Sequence, residues 1–177
     1  MKKKIVILTA VCALAVGMLA GCKSKESAGS GPEVKEILAA VQEAYGEDYL
    51  PDTDIDKETL EAGFGIDMSL VEDFAAQMPM ISVHPDCVII IKATEGNGET
   101  IDKALETYKE SLLQAGMCYP ANIAKTEASE VLREGDYAAF FLVGAPDDRL
   151  DATEEEALDF AKEQTQKAVD AFEGFFK

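Results

Sequence analysis

The sequence predicts an α+β domain: a mainly antiparallel sheet of about four strands with helices packed on it. Three observations carry this. Two short apolar runs, residues 87–93 and 137–143, read as strands. Segments with apolar residues three or four apart flank them and read as helices. Turn residues separate the two kinds at 84–86, 96–98 and 134–136. The resulting order is helices, two strands, helix, two strands, helix.

The chain has 177 residues, a length suited to one folded domain. Its first 21 residues are set apart as a leader. Lys2, Lys3 and Lys4 give a basic start, followed by an apolar run over residues 5–20 broken only by Thr9 and Gly17. Those flanks and that length mark a secretory signal, a little short for a spanning helix. Leu19-Ala20-Gly21-Cys22 then resembles the lipobox of bacterial lipoproteins. The resemblance implies a diacylglyceryl thioether on Cys22, cleavage before it, and commonly acylation of its new amine with a fatty acid such as palmitate. Two acyl chains suffice for stable anchoring, at ~0.8 kcal/mol per buried methylene. The expected location is the extracytoplasmic face of the cell membrane.

Residues 22–32 are polar and rich in Ser and Gly, a flexible tether whose ten residues after Cys22 reach ~17 Å on average. The domain is expected over residues 33–177. Acids number 34 against 16 Lys and Arg, a charge of −18. Loss of residues 1–21 removes three lysines and no acid, taking it to −21. Such a surface repels nucleic acid and is held off anionic headgroups.

Along the domain, Val34, Ile37, Leu38, Val41 and Ala44 form a helical stripe over residues 33–45, with Pro32 suited to a first turn and Gly46 ending it. A short helix follows Asp56. A third is predicted over residues 69–78 from Leu70, Val71, Phe74 and Met78, with Asp67 as its cap. Residues 80–83 and 87–93 are then predicted to be paired strands. Ile101, Ala104, Leu105, Tyr108 and Leu112 mark a helix over 100–115. Residues 116–127 read as irregular. A hairpin is expected over 128–133 and 137–143, the second strand central and covered on both faces. Thr153 and Glu156 form a capping box. The last helix should bury Leu158, Ala161, Thr165, Ala168, Phe172 and Phe175.

Tyr49-Leu50-Pro51, residues 79–83, Tyr119-Pro120 with Asn122, and Gly135-Asp136-Tyr137 together resemble a family of bacterial lipoproteins, Domain of Unknown Function 4358. The resemblance covers roughly residues 33–145. It implies a secreted, lipid-anchored domain of no assigned activity and carries over no catalytic residue.

The candidate chemistry is sparse. Asp52, Asp54, Asp56 and Glu58 alternate like the start of a calcium loop, but Lys57 and Gly63 stand where Gly and Glu are needed. A solvated turn with Asp56 as helix cap is the preferred reading. His84 is the single histidine, so multi-histidine metal sites are excluded and a triad is weakened. His84 and Asp86 flank a proline and read as a turn. Asp147, Asp148 and Asp151, ahead of Glu154–Glu156, complement a helix dipole or form a weak cation site. No phosphate loop or nucleophile motif is present, and neither metal nor cofactor is expected. Once Cys12 leaves and Cys22 is lipidated, Cys87 and Cys118 remain. They either form a disulfide, at ~3.6 kcal/mol for a loop of about 30 residues, or Cys87 is a small buried apolar residue.

Two functions compete. The first is a non-catalytic module binding an envelope protein or small ligand. The second is an envelope hydrolase using carboxylates such as Asp86 or Asp136.

Overall fold

Side chains along residues 87–93 alternate between two cores. Val88 and Ile90 enter one; Cys87, Ile89, Ile91 and Ala93 enter the other. A strand apolar on both faces must be covered on both, and the computed structural model places helices on each side of it. The structure describes residues 31–80, 84–115, 120–149 and 151–177. The leader, Cys22 and the tether up to residue 30 lie outside the described residues, as does Cys118. Gly31–Lys177 form one compact unit.

The sheet has five strands, β1 (Thr53–Asp54), β2 (Val71–Met78), β3 (Cys87–Ala93), β4 (Glu130–Glu134) and β5 (Tyr137–Leu142), in the order β1-β2-β3-β5-β4. Every pairing is antiparallel. Helices α1 (Val34–Tyr45) and α5 (Glu154–Glu173) supply one outer layer; α2 (Lys57–Phe64) and α3 (Gly98–Ala115) supply the other. A fifth helix, α4 (Pro120–Glu127), joins α3 to β4.

The expected α+β class, the apolar strands and the capped last helix are all present. Thr153 and Glu156 exchange both capping-box bonds, and Phe172 is fully buried. Five local expectations are corrected. Residues 71–78 are strand β2, not a helix; Asp67 caps only a short 3-10 turn, Met68–Leu70. The register slips between Val71 and Asp73, a bulge that breaks the two-residue alternation and leaves apolar residues at helical spacing. Met80, placed at the start of a predicted strand, is a bend, and residues 81–83 lie outside the described residues. Residues 120–127, read as irregular, are helix α4, with Pro120 at its first position, where its missing N–H costs nothing. On α1 it is Tyr45, not Ala44, that completes the buried stripe. On α5 Leu158 is only half-buried, and Phe175, expected on the same helix, lies beyond its end and is half-buried too.

The strands run between two poles. At one, Ala93 donates to the Asp136 carbonyl at 2.8 Å and Lys92 sits opposite Tyr137. The chain enters here: the Tyr137 hydroxyl donates to the Pro32 carbonyl at 2.8 Å. At the other pole lie Met78, Cys87 and Leu142. We call these the near and far poles. Helix α3 starts at the near pole, where Gly98 lies so close to the Gly135 carbonyl that any Cβ would collide with it. Its 18 residues then run ~27 Å toward the far pole.

Candidate binding site

The far pole is built on a buried ion pair. Asp86, immediately before β3, is 1% exposed, and Lys125 of α4 is 6% exposed. The Lys125 ammonium donates to both carboxylate oxygens, at 2.6 and 2.7 Å. The pair ties α4 to the start of the central strand. Its two charges have lost their water, so each is tolerated only because the other is there. Sequence reasoning missed Lys125. A lone lysine in a short polar helix carries no burial signal, and its partner is 39 residues away.

Cys87 follows, buried and free. Burial pushes its thiol pKa far above the ordinary value, and the neighbouring Asp86 charge pushes it further. It is a neutral thiol without nucleophilic character.

Above this pair a cleft of about 450 Å³ opens, within the size range of small-ligand sites. Its walls are apolar: Phe64, Met78, Met80, Tyr108 and Leu112, with Asp86 and Cys87 at the inner end. The Phe64 and Tyr108 rings lie 4.4 Å apart, and Tyr108 meets Phe140 edge-on at 5.5 Å. These contacts fix one wall from the core outward. Burial also holds the Tyr108 phenol above its usual range, so it stays neutral. Met80 at the mouth is 78% exposed. Among the described residues the exposed large apolar side chains are Met78, Met80, Leu113 and Ile123. Of these, Met78 and Met80 line the cleft, whereas Leu113 and Ile123 do not.

The other candidate residues do not converge. Asp136 is at the near pole, accepting from the backbone N–H groups of Gly96 (3.0 Å) and Gly98 (3.2 Å). It stands about 20 Å or more from Asp86 along β3, whereas glycosidase carboxylates work ~5–9.5 Å apart. Asp56 caps α2, and hydrogen bonding from the Thr59 side chain and from its N–H at 2.8 Å holds the carboxyl below the usual range. Asp52 accepts from Thr53 and from the Met80 N–H, and Asp54 from Gln77. Asp147 is clamped by Arg149 at 2.7 and 2.8 Å. His84 is exposed at the cleft. Among the described residues no group of three His, Cys, Asp or Glu is placed to hold a metal ion.

A second hollow of about 320 Å³ lies between α4 and α5, lined by Lys125, Asp147, Arg149 and Phe160. Both of its cations are already engaged, Lys125 by Asp86 and Arg149 by Asp147. An anion would therefore have to displace a carboxylate to bind there.

No helix among the described residues is long and apolar enough to cross a membrane. A family described only as a domain of unknown function (DUF4358) matches residues 44–143, which hold all five strands and helices α2 to α4. No curated protein and no solved structure matches the chain significantly.

Proposed function

The chain belongs to the DUF4358 family, and on that premise we propose a non-catalytic binding module anchored at the outer face of the cell membrane. The observation that carries the binding half is the far-pole cleft, an apolar-walled cavity of ligand size at which Met78 and Met80 are exposed. The anchoring half rests on the basic start, the apolar run and Leu19-Ala20-Gly21-Cys22.

A hydrolase has less support, because Asp86 is held by Lys125 and Asp136 caps a loop.

A photoreactive side chain at Met80 should form adducts in intact cells, and one at Glu95, exposed at the near pole, should not. Equal labelling at both positions would sink the cleft as the binding face. Cys22→Ser should abolish fatty-acid labelling and release the protein or leave its precursor uncleaved. Unchanged labelling and processing would sink the anchor.

A further inference from the structure

The near-pole loop holds an Asn97-Gly98 pair, the sequence at which asparagine most readily loses its amide to the following backbone nitrogen. Glycine permits this because no side chain hinders the approach. The fold cannot exchange it: Gly98 is buried, and a Cβ there would collide with the Gly135 carbonyl. The chain's other asparagine, Asn122, is followed by the branched Ile123, which hinders the same reaction.

Every group the reaction needs is tied down. The Gly98 N–H donates to the Asp136 Oδ1 at 3.2 Å, and the Gly96 N–H meets the same oxygen at 3.0 Å. The Asn97 side-chain amide donates to the Thr94 Oγ1 at 2.9 Å and to the Glu95 carbonyl at 3.4 Å. The Asn97 carbonyl accepts from the N–H groups of Thr100 and Ile101, at 3.0 and 3.2 Å. Ring closure turns the Asn97 Cα–C bond, which those two bonds oppose. A carboxylate beside the Gly98 N–H also opposes loss of its proton, the step that makes the nitrogen nucleophilic.

We propose that Asn97-Gly98 is a covalent modification site guarded by Asp136, reacting when the near-pole loop opens and preventing it from closing again. The Gly98 nitrogen bonds to Asn97 Cγ, the Cγ–Nδ2 bond breaks, and ammonia leaves carrying the Gly98 proton. Water then opens the succinimide at either carbonyl, giving aspartate or isoaspartate with no oxidation or reduction. Either product lacks the amide donor and sets a new carboxylate among Glu95, Glu99 and Asp136. Because the amide does not return, the modified fraction records how long the loop has spent open.

The test holds the full chain in mildly alkaline buffer and follows the mass gain at Asn97 by peptide mapping, with Asn122 as internal control. The native chain should react at least ~10-fold more slowly than the chain unfolded in guanidinium. Asp136→Ala should speed the native reaction about 5–30-fold, because hydrogen bonds to a charged acceptor are lost. Asp136→Asn, which keeps an acceptor oxygen without the charge, should fall between parent and Asp136→Ala. Slow hydrogen exchange in β3 shows which variants stay folded, and Asp136→Asn decides if Asp136→Ala does not. A native chain as fast as the unfolded one overturns the guard, and so does a folded variant no faster than the parent. Equal gain at Asn122 overturns the assignment to the Asn-Gly pair. Asn97→Asp carries the product's charge and should quicken exchange at Gly96 and Gly98; unchanged exchange there overturns the failure to reclose.

Discussion

The two poles of this domain are finished in opposite ways. At the near pole Tyr137, Phe176 and Phe172 form a chain of rings at 5.1 and 5.0 Å, and Phe172 continues to Phe141 at 6.0 Å. Asp136 caps the loop beside them, and the Tyr137 hydroxyl holds the entering chain. Apolar surface there is covered by the protein's own side chains. At the far pole the same sheet ends in a buried ion pair and a cleft with methionines in water. A pole closed for stability needs nothing further, whereas one left open exposes apolar area, which the proposed binding role would explain.

The contrast can be broken first at its two buried anchors. Lys125→Met strands the Asp86 carboxylate and should cost about 3–5 kcal/mol by denaturant unfolding. The double variant Lys125→Met/Asp86→Leu should recover most of that loss, because removing both charges removes the desolvation penalty too. Phe172→Ala should cost a similar ~3–5 kcal/mol by opening a cavity behind the near-pole rings. A melting temperature unchanged by Phe172→Ala would mean that α5 is docked loosely.

A smaller effect is expected from Asp136→Ala, which deprives two glycine N–H groups of their acceptor and should cost about 1–2 kcal/mol. Hydrogen exchange at Gly96 and Gly98 should quicken in that variant, while exchange in β3 stays slow. The smallest change in stability sharpens the comparison most. Met80→Ser at the open mouth should shift unfolding by no more than ~0.5 kcal/mol, yet weaken whatever binding the cleft supports. A large loss of stability instead would show Met80 to be part of the core.

Much of the closed architecture was legible in the sequence. The runs at 87–93 and 137–143 read as strands, the second as covered on both faces, and Thr153 with Glu156 marked the last helix. The errors share one cause, that local pattern is a poor guide where tertiary contacts decide. Ala75 and Ala76 are the buried residues of β2, too small to announce a strand, and the bulge beside them mimics helical spacing. Strand β1 is two residues long and exists only through its pairing with Met78 and Gln77. The far pole was hidden for the same reason. Its ion pair joins residues 39 apart, and its cleft draws on α2, α3 and the ends of β2 and β3. The family resemblance was visible in short strings, but none of them contained Lys125.

Helix α1 starts beside Tyr137 and ends beside Gly144, so it spans the domain from one pole to the other. A pull on the chain where it enters is therefore directed along the helix axis. Val34, Ile37, Leu38, Val41 and Tyr45 must slide past their neighbours together, in shear, and cannot be peeled away one by one. The Tyr45 hydroxyl, bonded to the Gln164 carbonyl at 2.6 Å, is the last fastening in that line. A load applied along that axis is thus shared across α1 and the residues of α5, β2 and β3 packed against it.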